Sequence, residues 1–180
     1  IAYECLHDKT KQELISMGCF VATSNVNEFR EYVDPEITSS YSLSGSANSI
    51  TANRVSYSFG LEGTSMSIDT ACSSSLVAID VARTKLMIDE CTSAVVIGVS
   101  LILTGLGYES FCSANMVSKT GRCSTFSEEA DGFVRGEGCV GIVLEIYDES
   151  HEFVYGIIES TAVNNDGKSA SLTASRGPSQ

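Results

Sequence analysis

Asp69-Thr70-Ala71-Cys72-Ser73-Ser74-Ser75-Leu76-Val77-Ala78 sets one Cys in a tight turn between an extended run and a helical one. Upstream, Ser65-Met66-Ser67-Ile68-Asp69 reads as a strand. Downstream, Leu76, Ile79, Ala82 and Leu86 recur at spacings of three and four, which predicts a helix from about Ser73 to Glu90, with Ser residues to cap its start. Such a turn exposes the thiol at the strand's carboxyl end, beside the unpaired N–H groups and partial positive charge of a helix N-terminus. That is a place for a thiolate nucleophile. A dipole contribution of about 0.3–1 kcal/mol moves a pKa by less than one unit. It leaves a thiol that starts near ~8.5 mostly protonated at neutral pH, so a basic partner is needed.

Working outward, Gly18-Cys19-Phe20-Val21-Ala22 reads as a short buried strand, and the first ten residues as the end of a helix. The Ser-rich region Thr38–Asn53 is expected to be a loop entering a helix that carries Ile50, Val55, Tyr57 and Phe59 and stops at Gly60. Residues 94–103 form a strand buried on both faces. A Gly- and Ser-containing region with a short helix follows, then strands at Cys139–Tyr147 and Phe153–Val163, separated by the polar segment Asp148–Glu152. Strands alternating with helices indicate an α/β domain with antiparallel pairing late in the chain. No internal repeat is evident.

The 180 residues suffice for one domain with a core. A net charge of −12 argues against a nucleic-acid binder and against docking on anionic membranes. The uncharged run Cys91–Tyr108 holds three Gly, has acidic flanks and lacks a basic anchor, so it is read as a buried strand and loop rather than a membrane span. The terminus Ile1-Ala2-Tyr3-Glu4-Cys5 shows no targeting signal and reads as an internal cut. Seven Cys without a C-x-x-C pair fit neither a disulfide framework nor a zinc site, so a reduced, cytoplasmic protein is expected, with most thiols acting as small buried hydrophobes.

Several local motifs fail on context. Gly136-Glu137-Gly138-Cys139-Val140-Gly141 matches G-x-G-x-x-G but runs into a strand, not the helix that must hold a pyrophosphate. Gly105-Leu106-Gly107 meets Ser110 where the third Gly belongs. Gly167-Lys168-Ser169 has Ala162 in place of the first Gly of a phosphate loop, and Gly98-Val99-Ser100 lacks the closing Gly of a hydrolase elbow. His7 and His151 are too few and too far apart for a His-based metal site, and no metal is expected.

Asn53-Arg54-Val55-Ser56-Tyr57 through Val77, with Gly60-Leu61-Glu62-Gly63 and Asp-Thr-Ala-Cys-Ser-Ser-Ser, resembles the active-site region of the β-ketoacyl synthase family, above all ketosynthase domains of type I polyketide synthases. Gly121-Arg122-Cys123, Asp131–Gly138, Ala162–Gly167 and Gly177–Gln180 resemble further family motifs in the family's order. The resemblance implies a thiolase-like, layered αβαβα fold, here incomplete, and a homodimer in polyketide or fatty-acid biosynthesis. Residues 1–150 would be the nucleophile-bearing N-terminal half without its first strand, and 151–180 the start of the C-terminal half. Cys72 matches the acyl-accepting nucleophile, and its backbone N–H would contribute to the oxyanion hole. The implied partners are an acyl carrier protein, whose phosphopantetheine arm bears the substrate, and acyl and malonyl-type thioesters; no cofactor is bound directly.

In the family, decarboxylation depends on two His that fall in motifs beyond Gln180, so the 180 residues alone are not expected to condense acyl groups. Thr64 stands where the family often has Pro, and Ser175-Arg176 where it often has Pro-Asn. Cys72 is the one catalytic assignment. Asp131–Gly138 is expected to be a structural loop in which Arg135 pairs with Glu137, and Asn164–Gly167 a turn. Lys119, Arg122 and Arg135 are either a basic patch for the carrier or dispersed solvated charges. The alternatives are a noncatalytic dimerising or scaffold relative of the ketosynthases and, far behind it, a cysteine hydrolase, which lacks a His partner.

Overall fold

Met17-Gly18-Cys19-Phe20-Val21-Ala22 carries no charge, and strand β1 (Met17–Ala22) is buried at every residue. The computed structural model describes residues 1–24, 28, 39–151, 153–171 and 174–179. They form two units, Ile1–Ile146 and Tyr147–Gln180.

In the first unit, β1 lies between β2 (Ser65–Ile68) and β3 (Ser93–Ser100), parallel to both, and β4 (Gly138–Glu145) adds antiparallel to β3. Cys19 faces Ser65 and Val95, and Gly98 faces both Ala22 and Val140. Alternation along the strands sends Met17, Cys19, Val21, Val95 and Ile97 to one core, with Leu6, Ala52 and Leu61. Phe20, Ala22, Ala94 and Val96 go to the other, with Ala78, Ala82, Leu86 and Cys91. Helices on both faces explain why β1 and β3 read as unbroken apolar runs. The expected α/β class and late antiparallel pairing hold.

Short helices surround this sheet. The helix expected in the first ten residues is α1 (Ala2–Leu6), and a second, unexpected helix follows it, α2 (Lys11–Ile15). A capping box separates them, Thr10 and Glu13 each satisfying the other's backbone N–H. The Ser-rich region holds a one-turn helix, α3 (Ser42–Ser46), and then α4 (Ile50–Phe59); Thr38 lies outside the described residues. Helix α4 stops at Gly60, in the left-handed region at φ 72°, as expected. Helix α5 (Ser74–Met87) follows the Cys72 turn, and α6 (Leu106–Ser113) is the short helix after β3.

Of the expected face of α5, Ala82 and Leu86 are buried and Ile79 packs against the same core, but Leu76 is 73% exposed, and Ser74 and Ala78 complete the buried stripe. Small residues win because the helix lies so close to the sheet that a Cβ built on Gly98 would stand 2.5 Å from the Ser75 hydroxyl. The larger Leu76, next to Ser75, turns outward, while Leu86 at the far end is buried.

The expected strand Phe153–Val163 does not form. Phe153, Tyr155, Ile157 and Val163 are each more than half exposed. A strand requires a ladder partner, and the unit Tyr147–Gln180 is too small to build a core of its own. It is ordered instead by a turn: Gly167, at φ 65°, donates to the Asn165 side chain. Asn164 donates to the Ser179 carbonyl at 2.8 Å, and Asp166 accepts the Arg176 N–H at 3.0 Å. The Asn-Asn-Asp-Gly and Gly-Pro-Ser motifs therefore meet, the latter as a 3-10 turn at Gly177–Ser179. The expected Asn164–Gly167 turn is present.

Candidate active site

The elbow is built from backbone strain and short polar side chains. Ala71 sits at φ 57°, a left-handed conformation that costs a non-Gly residue about 1–3 kcal/mol and persists only when its surroundings hold it. Asp69 accepts the Ala71 N–H at 3.0 Å, an Asx turn at the end of β2. Ser74 accepts the Thr70 N–H at 2.8 Å and donates to the Ala71 carbonyl at 2.6 Å. Ser73 donates to the Thr70 carbonyl at 2.8 Å. These short hydrogen bonds bracket Cys72, whose side chain is exposed.

This corrects the expectation that Ser caps α5. Ser73 occupies the N-cap position without a capping side-chain bond, since its hydroxyl points back into the turn. The first turn of α5 therefore presents backbone N–H groups rather than a capping oxygen, which suits a site for developing negative charge.

All seven Cys are free, and burial separates them. Cys19 and Cys91 are buried and Cys5 half-buried, whereas Cys72, Cys112, Cys123 and Cys139 are exposed. The expectation that most are buried hydrophobes fails, because the last three lie on α6, on a loop and on the outer strand β4. Burial pushes the Cys19 thiol up to about 11 and raises Cys5 and Cys91 too, so these three favour the protonated, unreactive form. Cys112 sits in the last turn of α6, the negative end of the dipole. Cys123 accepts the Val134 N–H at 3.3 Å. Of the seven, Cys72 stands at the N-terminus of a 14-residue helix.

The downstream motifs act as scaffold. Asp131 accepts the Lys119 N–H at 3.0 Å, and the Ser118 hydroxyl leads the contacts that hold its carboxyl below the usual carboxylate range. Gly132, at φ 147°, lets that loop pass so close that a Cβ would meet the Ser118 nitrogen at 2.5 Å. Residues 136–141 run into β4, a strand where a dinucleotide-binding turn would need a helix. Arg135 does not pair with Glu137: it pairs with Glu28, and Glu137 accepts the Ile102 N–H at 2.6 Å. With a side chain 5% exposed, Arg135 is also no part of a basic docking patch. His7 stacks on Tyr3, and His151 hydrogen-bonds Asp148. Among the described residues there is no cluster able to hold a metal, and no helix is long and apolar enough to cross a membrane.

The family described as Beta-ketoacyl synthase, N-terminal domain, matches residues 3–150. The chain is 39% identical over 178 residues to a hybrid PKS-NRPS synthetase of Neonectria sp., covering 96% of this chain and 4% of that protein. It is 40% identical over 162 residues to a polyketide synthase of Burkholderia thailandensis, covering 87% of this chain and 3% of that one. In structure it resembles the ketosynthase from module 6 of the bacillaene synthase of Bacillus subtilis 168, with a TM-score of 0.77 and 37% identity, covering 89% of this chain and 27% of that one. That likeness makes the fold thiolase-like. The chain thus spans a small part of the curated relatives it matches.

Proposed function

Because this chain belongs to the β-ketoacyl synthase family, matching its N-terminal domain, we propose that it supplies the acyl-accepting part of a condensing enzyme of polyketide synthesis, with Cys72 as the nucleophile. Residues 1–150 are the nucleophile-bearing half and 151–180 open the second half. The observation that carries the reading is the strained, hydroxyl-braced elbow that sets an exposed Cys72 at the start of α5.

The Cys72 thiolate attacks the carbonyl of an acyl thioester on the phosphopantetheine arm of a carrier protein. The Cys72 backbone N–H contributes to stabilising the oxyanion. The new C–S bond forms as the arm's C–S bond breaks, and the arm leaves as a thiol. A malonyl-type thioester then loses carbon dioxide, and its carbanion attacks the acyl-cysteine carbonyl, forming a C–C bond and releasing the Cys72 thiolate. Splitting the condensation in this way replaces one difficult step by two easier ones. The helix N-terminus contributes about 0.3–1 kcal/mol to the thiolate, so a further basic group completes the activation. The protein acts as a homodimer in the cytoplasm, with the carrier delivered by tethering rather than by a strong patch on this acidic surface.

The test is acyl loading. Incubation with an acyl thioester adds the acyl mass to the peptide containing Cys72, and Cys72→Ala abolishes it. Loading of Cys72 in the full protein with no condensed product from a malonyl thioester would mark the noncatalytic scaffold relative instead.

A further inference from the structure

The elbow follows β2 and residues Leu101–Gly105 follow β3, and since both strands run parallel to β1 between them, both segments leave the same edge of the sheet. Gly98 of β3 packs on Ser75, three residues after Cys72. Ligands in open α/β sheets bind outside the carboxyl ends of strands, so Leu101–Gly105 are placed to wall that site. Two carboxylates hold this wall by its backbone: Glu28 accepts the Leu103 N–H at 3.0 Å, and Glu137 accepts the Ile102 N–H at 2.6 Å.

Glu28 is in turn ion-paired with Arg135, the two side chains 10% and 5% exposed. The Arg135 guanidinium lies 5.0 Å from the centre of the Tyr108 ring and 5.4 Å from that of Phe111, both on α6. Its Nη1 has no hydrogen-bond acceptor among the described residues. Gly107 leaves room at the crossing: a Cβ there would crowd the Glu28 carboxylate and stand 2.5 Å from Nη1. One buried guanidinium therefore ties the β4 approach, the Glu28 carboxylate, the post-β3 wall and α6 together.

We propose that the Glu28–Arg135 pair is a positioning clasp that fixes this wall and thereby sets which acyl thioesters Cys72 accepts. It rests on the reading of Cys72 as acyl acceptor. The clasp works through backbone position, so loosening it widens the site and favours longer acyl chains.

The test uses the full protein that contains these residues, offered acetyl and dodecanoyl N-acetylcysteamine thioesters, with Cys72 loading read by peptide mass. Iodoacetamide alkylation of Cys72 and the melting temperature are read alongside. Glu28→Met with Arg135→Met removes both buried charges at similar volume, a replacement that cores tolerate. Native melting and alkylation are expected, with the dodecanoyl-to-acetyl loading ratio raised about tenfold, the discrimination that small differences in pocket fit carry. An unchanged ratio overturns the clasp. Should the double variant not fold, Arg135→Lys keeps the charge and loses the planar stacking, and an unchanged ratio in it overturns the clasp equally. Failure of the unmodified protein to load either thioester while Cys72 still alkylates overturns the acyl-acceptor reading instead, and the clasp with it.

Discussion

Gly98→Ala is the sharpest structural perturbation of the elbow. A Cβ at that position would lie 2.5 Å from the Ser75 Oγ and 3.5 Å from its Cβ. Against the usual ~3.5 Å separation of non-bonded heavy atoms, the first contact overlaps by about 1 Å and the second is ordinary. Either the Ser75 hydroxyl turns to another rotamer or the start of α5 backs away from β3. Overpacking of this kind costs about 1–3 kcal/mol. Because Cys72 precedes Ser75 by less than one turn, retreat of the helix also moves the thiol. The assay is urea unfolding followed by far-UV circular dichroism, with the iodoacetamide rate at Cys72 on the same samples. Ser75→Ala removes the clashing oxygen and leaves the ordinary contact, so adding it to Gly98→Ala restores stability to within about 0.5 kcal/mol of Ser75→Ala alone. A Gly98→Ala loss of stability that Ser75→Ala fails to relieve would refute the Ser75 contact as its cause.

Other perturbations read different parts of the fold. Glu28→Gln leaves the Arg135 charge buried without its partner and should cost about 3–5 kcal/mol, with the Glu28→Met, Arg135→Met pair costing less than either single change, both read by urea midpoint. Cys19 keeps its proton to about pH 11 when folded, against an ordinary value near 9.0. Its contribution is therefore fully present below pH 9 and is lost as the unfolded thiol ionises between pH 9 and 11, about 2–3 kcal/mol by linkage, read as the difference between the parent and Cys19→Ala. Thr10→Ala removes the capping box before α2 and should cost about 1 kcal/mol.

What the sequence shows in advance, and what it hides, follows from how far each interaction reaches along the chain. The apolar runs at 17–22 and 94–97 and the stop at Gly60 are local signals and appear as expected. So does the turn that carries Cys72. The capping box at Thr10 and Glu13 is equally local, but the five-residue helix it starts is too short to show an apolar period that would draw attention to it. The Glu28–Arg135 pair joins residues 107 apart, and no spacing rule points from one to the other. On α5 only Leu76 misleads, because apolar residues surround that helix and the closeness of Gly98 favours small residues at its start. Phe153–Val163 has the composition of a strand, but a strand is a property of a pair, and composition carries no news of the partner.

Peptide mass spectrometry after incubation with an acyl thioester tests the account at its centre. The account predicts one acyl group on the peptide spanning Cys72, none on the peptides bearing Cys112, Cys123 or Cys139, and none anywhere in Cys72→Ala. Acyl mass that persists in Cys72→Ala, or that settles on another exposed thiol, contradicts it.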